Sequence, residues 1–302
     1  MTDSVTSAVP GPAAPPRPAI AAATAMGAVS LTVSNRTRSQ AFYENAIGLV
    51  GREDDHGVVS LAAPDGTELV RLYEDAAAPA LDPRATGLFH LAILLPSRVD
   101  LGHALIRLAE ARWGLDGASD HLVSEALYLS DPDGNGIEIY RDRPRDEWRY
   151  TGDQLEMATL PLDLRSIVSE ATAVGPAPAT APAATVMGHV HLQVSELNAT
   201  EAFYAGVLGF DVTVRGYPGA LFVSAGGYHH HLGLNTWNSR GSGPAAPGAV
   251  GLRSYEVRVP DETELQRVLD RVRSAGLSPE PDDRGIATVV DPSGNRVALT
   301  TA

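Results

Sequence analysis

Apolar and polar residues alternate along AVSLTV from Ala28 to Val33, take a helical spacing through TRSQAFYENAI, and return to short alternating runs at VVSLAA and ELVRLY. A period of two predicts a strand with one buried face, and a period near 3.6 predicts an amphipathic helix. The order then restarts. GLFHLAILLPS reads as a strand, VDLGHALIRLAEARWG as a helix, and HLVSEALYLSDPDGNGIEIY as two strands joined by a Gly-containing turn. The second half repeats the series: a strand in GHVHLQVS, a helix in AFYAGVLG, strands in LFVSAGG and HHLGLNTW, then LRSYEVRV, the helix DETELQRVLDRVRSAG and a closing pair of strands. The pattern predicts an α+β protein of four βαβββ modules in two tandem halves. No module of this size encloses a core alone, so their curved mixed sheets are expected to pair into half-barrel clefts.

The repetition is direct as well as periodic. Met26 to Leu49 (MGAVSLTVSNRTRSQAFYENAIGL) aligns without gaps on Met187 to Phe210 (MGHVHLQVSELNATEAFYAGVLGF), and the turn DPDGNGIEIY from Asp131 recurs as DPSGNRVALT from Asp291. Between the halves, Ala171 to Ala184 (ATAVGPAPATAPAA) has the composition of an extended linker. The expected organisation is a flexible tail over residues 1–25, a first domain over 26–142, a connector over 143–185 and a second domain over 186–302. Residues 141–170 are too long for a simple loop and are expected to pack on the first half.

Composition narrows the chemistry. The chain has 302 residues, a formal net charge of −14 and no cysteine, and its basic residues are all arginine without a clustered patch. Nucleic acid and membrane partners are not expected. The N-terminal stretch lacks a basic n-region and no apolar run approaches the ~20 residues needed to cross a bilayer, so a cytoplasmic protein is expected. Without thiolates, a metal would be held by His, Asp or Glu.

Because the modules share one layout, equivalent positions can be compared within the single chain. The residue after the Gly of the first strand is Ala28 in module one and His189 in module three. An early-strand position is His90 in module two and Ser254 in module four, and the middle of the last strand is Glu138 in module two and Ala298 in module four. Modules one and four carry no metal donor at these places, whereas modules two and three carry His90, Glu138 and His189. Two imidazoles and a carboxylate are the facial triad of non-haem Fe(II), and they also suit Mn(II). One site made of these residues requires modules two and three to share a cleft, within a chain or across a homodimer. His191, on the same face as His189, is the alternate ligand or a neighbour of the ligands. The triplet from His229 to His231 falls in an apparent strand, so His229 and His231 are expected at an edge or rim, opposite in direction to His230. His56, beside an apparent turn, and His103, on a helix, are expected to face solvent.

These residues resemble the vicinal oxygen chelate superfamily, specifically its extradiol ring-cleaving catechol 2,3-dioxygenases. GHVHLQVS, FYAGVLGF and YHHHLGLNTW carry the likeness, and the four-module layout spans nearly all the chain outside tail and linker. The resemblance implies that catechol-type diols are opened with O₂ at a mononuclear Fe(II) site, in aromatic hydrocarbon catabolism. Its iron ligands correspond to His189, His90 and Glu138, its acid/base histidine to His230, and its further active-site histidine and tyrosine to His121 and Tyr128. One departure stands out: two-domain relatives use modules three and four for iron, which also leaves open a site within the first half made from His90, His121 and Glu138. The superfamily further contains glyoxalase-type isomerases, which favour a fourth protein ligand such as His191, and metal-free proteins that sequester drugs. Consumption of O₂ separates these readings.

Overall fold

The computed structural model describes residues 19–152 and 154–302. Module one comprises β1 (Ala25–Val33), α1 (Arg36–Phe42) with a π-helical extension over Tyr43–Ile47, β2 (Val50–Glu53), β3 (Val59–Ala62) and β4 (Glu68–Glu74). Module two comprises β5 (Gly87–Leu95), α2 (Arg98–Glu110), β6 (Gly117–Asp120), β7 (Ser124–Ser130) and β8 (Gly136–Asp142). The connector contains β9 (Tyr150–Thr151), β10 (Gln154–Leu155), β11 (Leu160–Pro161) and α3 (Leu164–Val174). Module three runs through β12 (Val186–Gln193), α4 (Leu197–Glu201) with a π-helical extension over Ala202–Leu208, β13 (Asp211–Val214), β14 (Ala220–Ser224) and β15 (Leu232–Asn235). Module four runs through β16 (Gly251–Val259), α5 (Glu262–Ser274), β17 (Glu280–Pro281), β18 (Ala287–Val290) and β19 (Arg296–Thr301). The α+β class and the fourfold modular plan follow the sequence pattern.

The strand order shows how the modules combine. One sheet runs β17-β18-β19-β16-β1-β4-β3-β2, and the other β11-β6-β7-β8-β5-β12-β15-β14-β13. Modules one and four therefore share a sheet through the antiparallel pair β1 and β16, and modules two and three share the other through β5 and β12. Within each half the modules meet differently. The Tyr43 hydroxyl donates to Asp131 at 3.2 Å and the Tyr204 hydroxyl to Asp291 at 2.9 Å. Asn135 and Asn295 also donate to these aspartates. The recurring Phe-Tyr pair and DPxGN turn are thus two ends of one buried contact, which explains why both repeat together. Each π-helical extension ends at a glycine with positive φ, 86° at Gly48 and 93° at Gly209, a conformation that costs a side chain energy.

Two stretches depart from their expected roles. Residues 1–18 of the expected tail lie outside the described residues, but the tail does not extend to residue 25: Ile20 is buried and its N–H donates to the Gly209 carbonyl at 2.8 Å. An apolar side chain after the last proline of the tail had a core to join. His103 is buried, not solvent-facing, because α3 packs across α2. Gly102 marks how close the approach is, since an added Cβ would lie 2.6 Å from that of Ala171. The connector thus packs on the first half.

Candidate metal centre

Register in the nine-stranded sheet sets the site. His189 on β12 pairs with Ala92 on β5, Ala92 pairs with Glu138 on β8, and Glu138 pairs with Tyr128 on β7. Paired residues project from the same face, so this is one row across four strands. The neighbouring row holds His90 on β5, His191 on β12, Gly233 on β15 and Phe222 on β14. The small Ala92 leaves a space between the rows. Into it converge the Nε2 atoms of His90 and His189, 3.0 and 3.1 Å from the same Glu138 oxygen. Donor atoms of these three residues lie within 4.8 Å of one another, and all three side chains are buried. One chain brings them together.

The electrostatics favour neutral imidazoles beside an ionised carboxylate. Burial pushes the His189 imidazole down to about 4, so it is uncharged at neutral pH, and its Nε2–H donates to Glu138 at 3.1 Å, a proton that a bound cation would displace. Burial acts to raise the Glu138 carboxyl, yet the adjoining His189 and His90 outweigh it and hold the group well below the usual carboxylate range. His90 Nε2 faces the carboxylate without hydrogen-bond geometry, and His189 Nδ1 and His191 Nε2 are also buried without partners. A buried carboxylate with imidazole nitrogens aimed at one point, and no cationic side chain bonded to it among the described residues, is a fit for a divalent cation. The set contains nitrogen and oxygen donors only, which suits Fe(II) or Mn(II).

The remaining candidates surround this point. His191 lies outside the three-residue cluster, its ring over Gly233, where an added Cβ would sit 2.8 Å from its Cγ. His121 does not join the donors either. Its Nδ1 lies 2.7 Å from the Ala158 carbonyl and its Nε2 2.6 Å from the Tyr128 hydroxyl. The carbonyl must receive a proton from Nδ1, so Nε2 accepts one from Tyr128. Burial and then the Glu138 charge push the Tyr128 phenol well up, keeping it a donor.

The histidine triplet corrects the expectation from alternation. Residues 229 to 231 lie in the loop entering β15, not within a strand, so side chains need not alternate. All three are buried. His229 is no rim residue: its Nε2 donates to Asp142 Oδ1 at 2.9 Å, and its Nδ1 stands 2.7 Å from Nδ1 of His230. With that Nε2 protonated, His229 Nδ1 accepts from His230, leaving the Nε2 lone pair of His230 available. Burial also lowers His230 well below the ordinary imidazole value, followed by the nearby His189. His231 accepts from the Ala225 N–H at 3.1 Å and is held at about 4 by burial.

A cleft of about 280 Å³ opens beside the donors, lined by His90, Glu138, His121, Tyr128 and His230 together with the aromatic rings of Phe89, Phe222 and Trp237. The connector supplies Met157 to Thr159 of its wall. Ala158 escaped sequence reasoning because a main-chain carbonyl leaves no residue-type signal. Asp142 carried a signal, a carboxylate at the end of the strand bearing Glu138.

The eight-stranded sheet has the equivalent place, where an ion-pair cluster stands beside an open cavity of about 500 Å³ that Ser30 and Ser254 help to line. Ala28, Ser254 and Ala298 stand where the other sheet has His189, His90 and Glu138. Register puts Glu256 where Ala92 is and Arg71, paired with Ser30, where Gly233 is. Arg71 and Arg284 reach Glu256 at 2.6 and 2.7 Å, and Arg258 at 3.1 Å.

Residues 25–139 and 186–299 match the Glyoxalase/Bleomycin resistance protein/Dioxygenase superfamily. The chain belongs to this superfamily. A Bacillus subtilis (strain 168) protein named catechol-2,3-dioxygenase is 45% identical over 274 residues, 89% of this chain and 94% of its own. Among solved structures, glyoxalase I from Zea mays has a TM-score of 0.56 at 16% identity, covering 92% of each chain. A chain from Bacillus subtilis subsp. subtilis str. 168 has a TM-score of 0.62 at 13% identity, covering 91% of this chain and 84% of that one. These structures share the fold. Among the described residues, no helix is long and apolar enough to cross a membrane.

Proposed function

We propose that this protein is an extradiol dioxygenase that opens catechol-type aromatic diols with O₂, with His90, His189 and Glu138 holding Fe(II). The observation that carries the reading is the convergence of two buried imidazole nitrogens on one carboxylate oxygen, at 3.0 and 3.1 Å, beside a cleft. The 45% identity to a catechol-2,3-dioxygenase supports the reaction class. Bound Fe(II) supplies a chelating centre for two adjacent diol oxygens, makes their protons easier to lose, and brings O₂ chemistry to the ring. Mn(II) is the alternative for the same donors. No site across a dimer is required, since one chain holds all three residues.

The chain's own groups supply the proton handling. His230 takes the diol proton on Nε2, with Nδ1 tied to His229 and through it to Asp142. Tyr128, kept protonated, donates to His121 Nε2 in the substrate-free site and turns that one proton to the ring oxygen as charge develops there. Phe89, Phe222 and Trp237 hold the ring and limit water. We assign the enzyme to the cytoplasmic breakdown of aromatic compounds. The test is metal analysis of anaerobically purified protein followed by an oxygen-electrode trace with catechol. Stoichiometric iron and catechol-dependent O₂ uptake with a yellow ring-cleavage product are expected. An anaerobic isomerase, or protein that gains no activity with Fe(II) or Mn(II), would refute the assignment.

A further inference from the structure

The cavity of about 500 Å³ in the eight-stranded sheet stands where the other sheet has its candidate metal cleft, and its lining suits a different occupant. Its volume lies within the ~300–1,000 Å³ of small-molecule sites. Most polar side chains around it are already committed. Gln193 donates to the Ala85 carbonyl and accepts from Asn238, both at 3.2 Å, and the Thr86 hydroxyl donates to the Ser293 carbonyl. Asn295 donates to Asp291 at 3.0 Å, and Asp282 pairs with Arg284 at 2.9 Å. Four hydroxyls are not committed: those of Ser30, Thr32, Ser254 and Tyr73 have no hydrogen-bond partner among the described residues. Ser30 and Thr32 are each only 3% exposed, and Ser30 pairs with Ser254 across β1 and β16, so these hydroxyls share the buried end of the cavity. A buried hydroxyl without a partner is costly, and a ligand hydroxyl would satisfy it. Leu81, Leu88, Val250 and Leu252 supply apolar walls. The charges left over lie at the exposed mouth and cancel. Arg253 and Arg296 stand there with Asp82 and Asp283, Arg253 lying over the Tyr73 ring at 4.3 Å and 3.9 Å from Asp283.

We propose that this cavity is a second ligand site, taking a small uncharged molecule of the phenol or alcohol class, with an apolar body and with hydroxyl groups that Ser30, Thr32 and Ser254 receive. Ala28, Ser254 and Ala298 replace the three donors here, so the molecule binds without reacting.

The probe is resorcinol, whose hydroxyls are not adjacent and so cannot chelate a metal ion as a catechol does. It is titrated anaerobically by calorimetry into the wild-type protein as purified, into Thr32→Val, which removes a hydroxyl and keeps the side chain's shape, and into Ser254→Phe, which fills the cavity. Wild type is expected to bind it at about 1 mM or tighter. Thr32→Val should weaken binding about 5-fold through the loss of one hydrogen bond, and Ser254→Phe should abolish it. Benzoate and benzylammonium, which carry a similar ring and opposite charges, should bind wild type at least about 10-fold more weakly than resorcinol. No binding by wild type, equal affinity in wild type and Thr32→Val, or equal affinity for all the probes would overturn the proposal. The Thr32→Val comparison decides even where Ser254→Phe fails to fold. Catechol turnover should be the same in Thr32→Val as in wild type, so failure of the ring-cleavage reading and failure of this one are separate results.

Discussion

Replacing Glu256 by Gln tests whether the ion-pair cluster of the eight-stranded sheet is held by charge. Burial acts to raise this carboxyl, but Arg71 and Arg284 outweigh it and hold it at about 2 against an ordinary 4.5. At ~1.4 kcal/mol for each tenfold change in proton affinity, the interaction contributes about 3 kcal/mol to the folded state at neutral pH. This lies at the low end of the ~3–5 kcal/mol for breaking a fully buried pair. The guanidinium side chains explain why: those of Arg71, Arg284 and Arg258 remain 11%, 25% and 29% exposed and can recover some water when the charge is removed.

The sign follows from the lowered pKa. The contribution is complete above the unfolded value near 4.5 and is lost as pH falls through about 2. The difference between wild type and Glu256→Gln should therefore be about 3 kcal/mol at pH 7, roughly half that at pH 3, and near zero below both values. Urea melts of the two proteins at pH 7 and pH 3, analysed as differences in midpoint at equal slope, measure it. Every other carboxylate titrates in both proteins and cancels. Iron content should not change, because the three donors lie on the other sheet. A difference that stays constant between the two pH values, or one below about 1 kcal/mol at pH 7, would refute the charge argument and leave packing as the cause.

Glu138→Ala and His90→Ala should each abolish both bound iron and turnover; a full iron complement in both variants would remove them from the ligand set. His230→Ala is expected to keep its iron and lose about 100- to 10,000-fold in kcat, and an unchanged rate would place the base elsewhere. Tyr128→Phe should lose about 10- to 100-fold with iron retained, so wild-type kinetics on several catechols would show the hydroxyl to be idle. Gly233→Ala should destabilise by about 1–3 kcal/mol in urea, because the new methyl meets the His191 ring at 2.8 Å; equal midpoints would mean that the ring has free space.

Much of the plan was readable because the chain contains its own comparison. Met26 to Leu49 and Met187 to Phe210 exposed the modules, and the contrast of Ala28 with His189 and of Ala298 with Glu138 singled out modules two and three. Their shared sheet follows the requirement that donors from both must meet. Other features depend on partners that residue type does not announce. His103 reads as an exposed helical position until α3 covers it. Alternation at His229 to His231 holds only inside a strand, and the triplet precedes β15. His121 is bonded to the Ala158 carbonyl, which any residue at that position could offer.

The two sheets show what separates a potential metal cleft from an inert one. The cleft with Ala28, Ser254 and Ala298 lacks the donors. Arg71 in place of Gly233, and Glu256 in place of Ala92, put an ion pair there instead, in which the carboxylate neutralises the guanidinium and accepts the Ala28 N–H at 3.2 Å. The converse holds in the nine-stranded sheet. Ala92 and Gly233 are small where their counterparts are charged, so among the described residues the buried Glu138 has two imidazoles but no guanidinium beside it, and room for a cation from outside. The smallest residues of the cleft therefore belong to the proposed metal centre as much as the three candidate donors do, and grafting those donors onto the other sheet would fail while Arg71 and Glu256 remain.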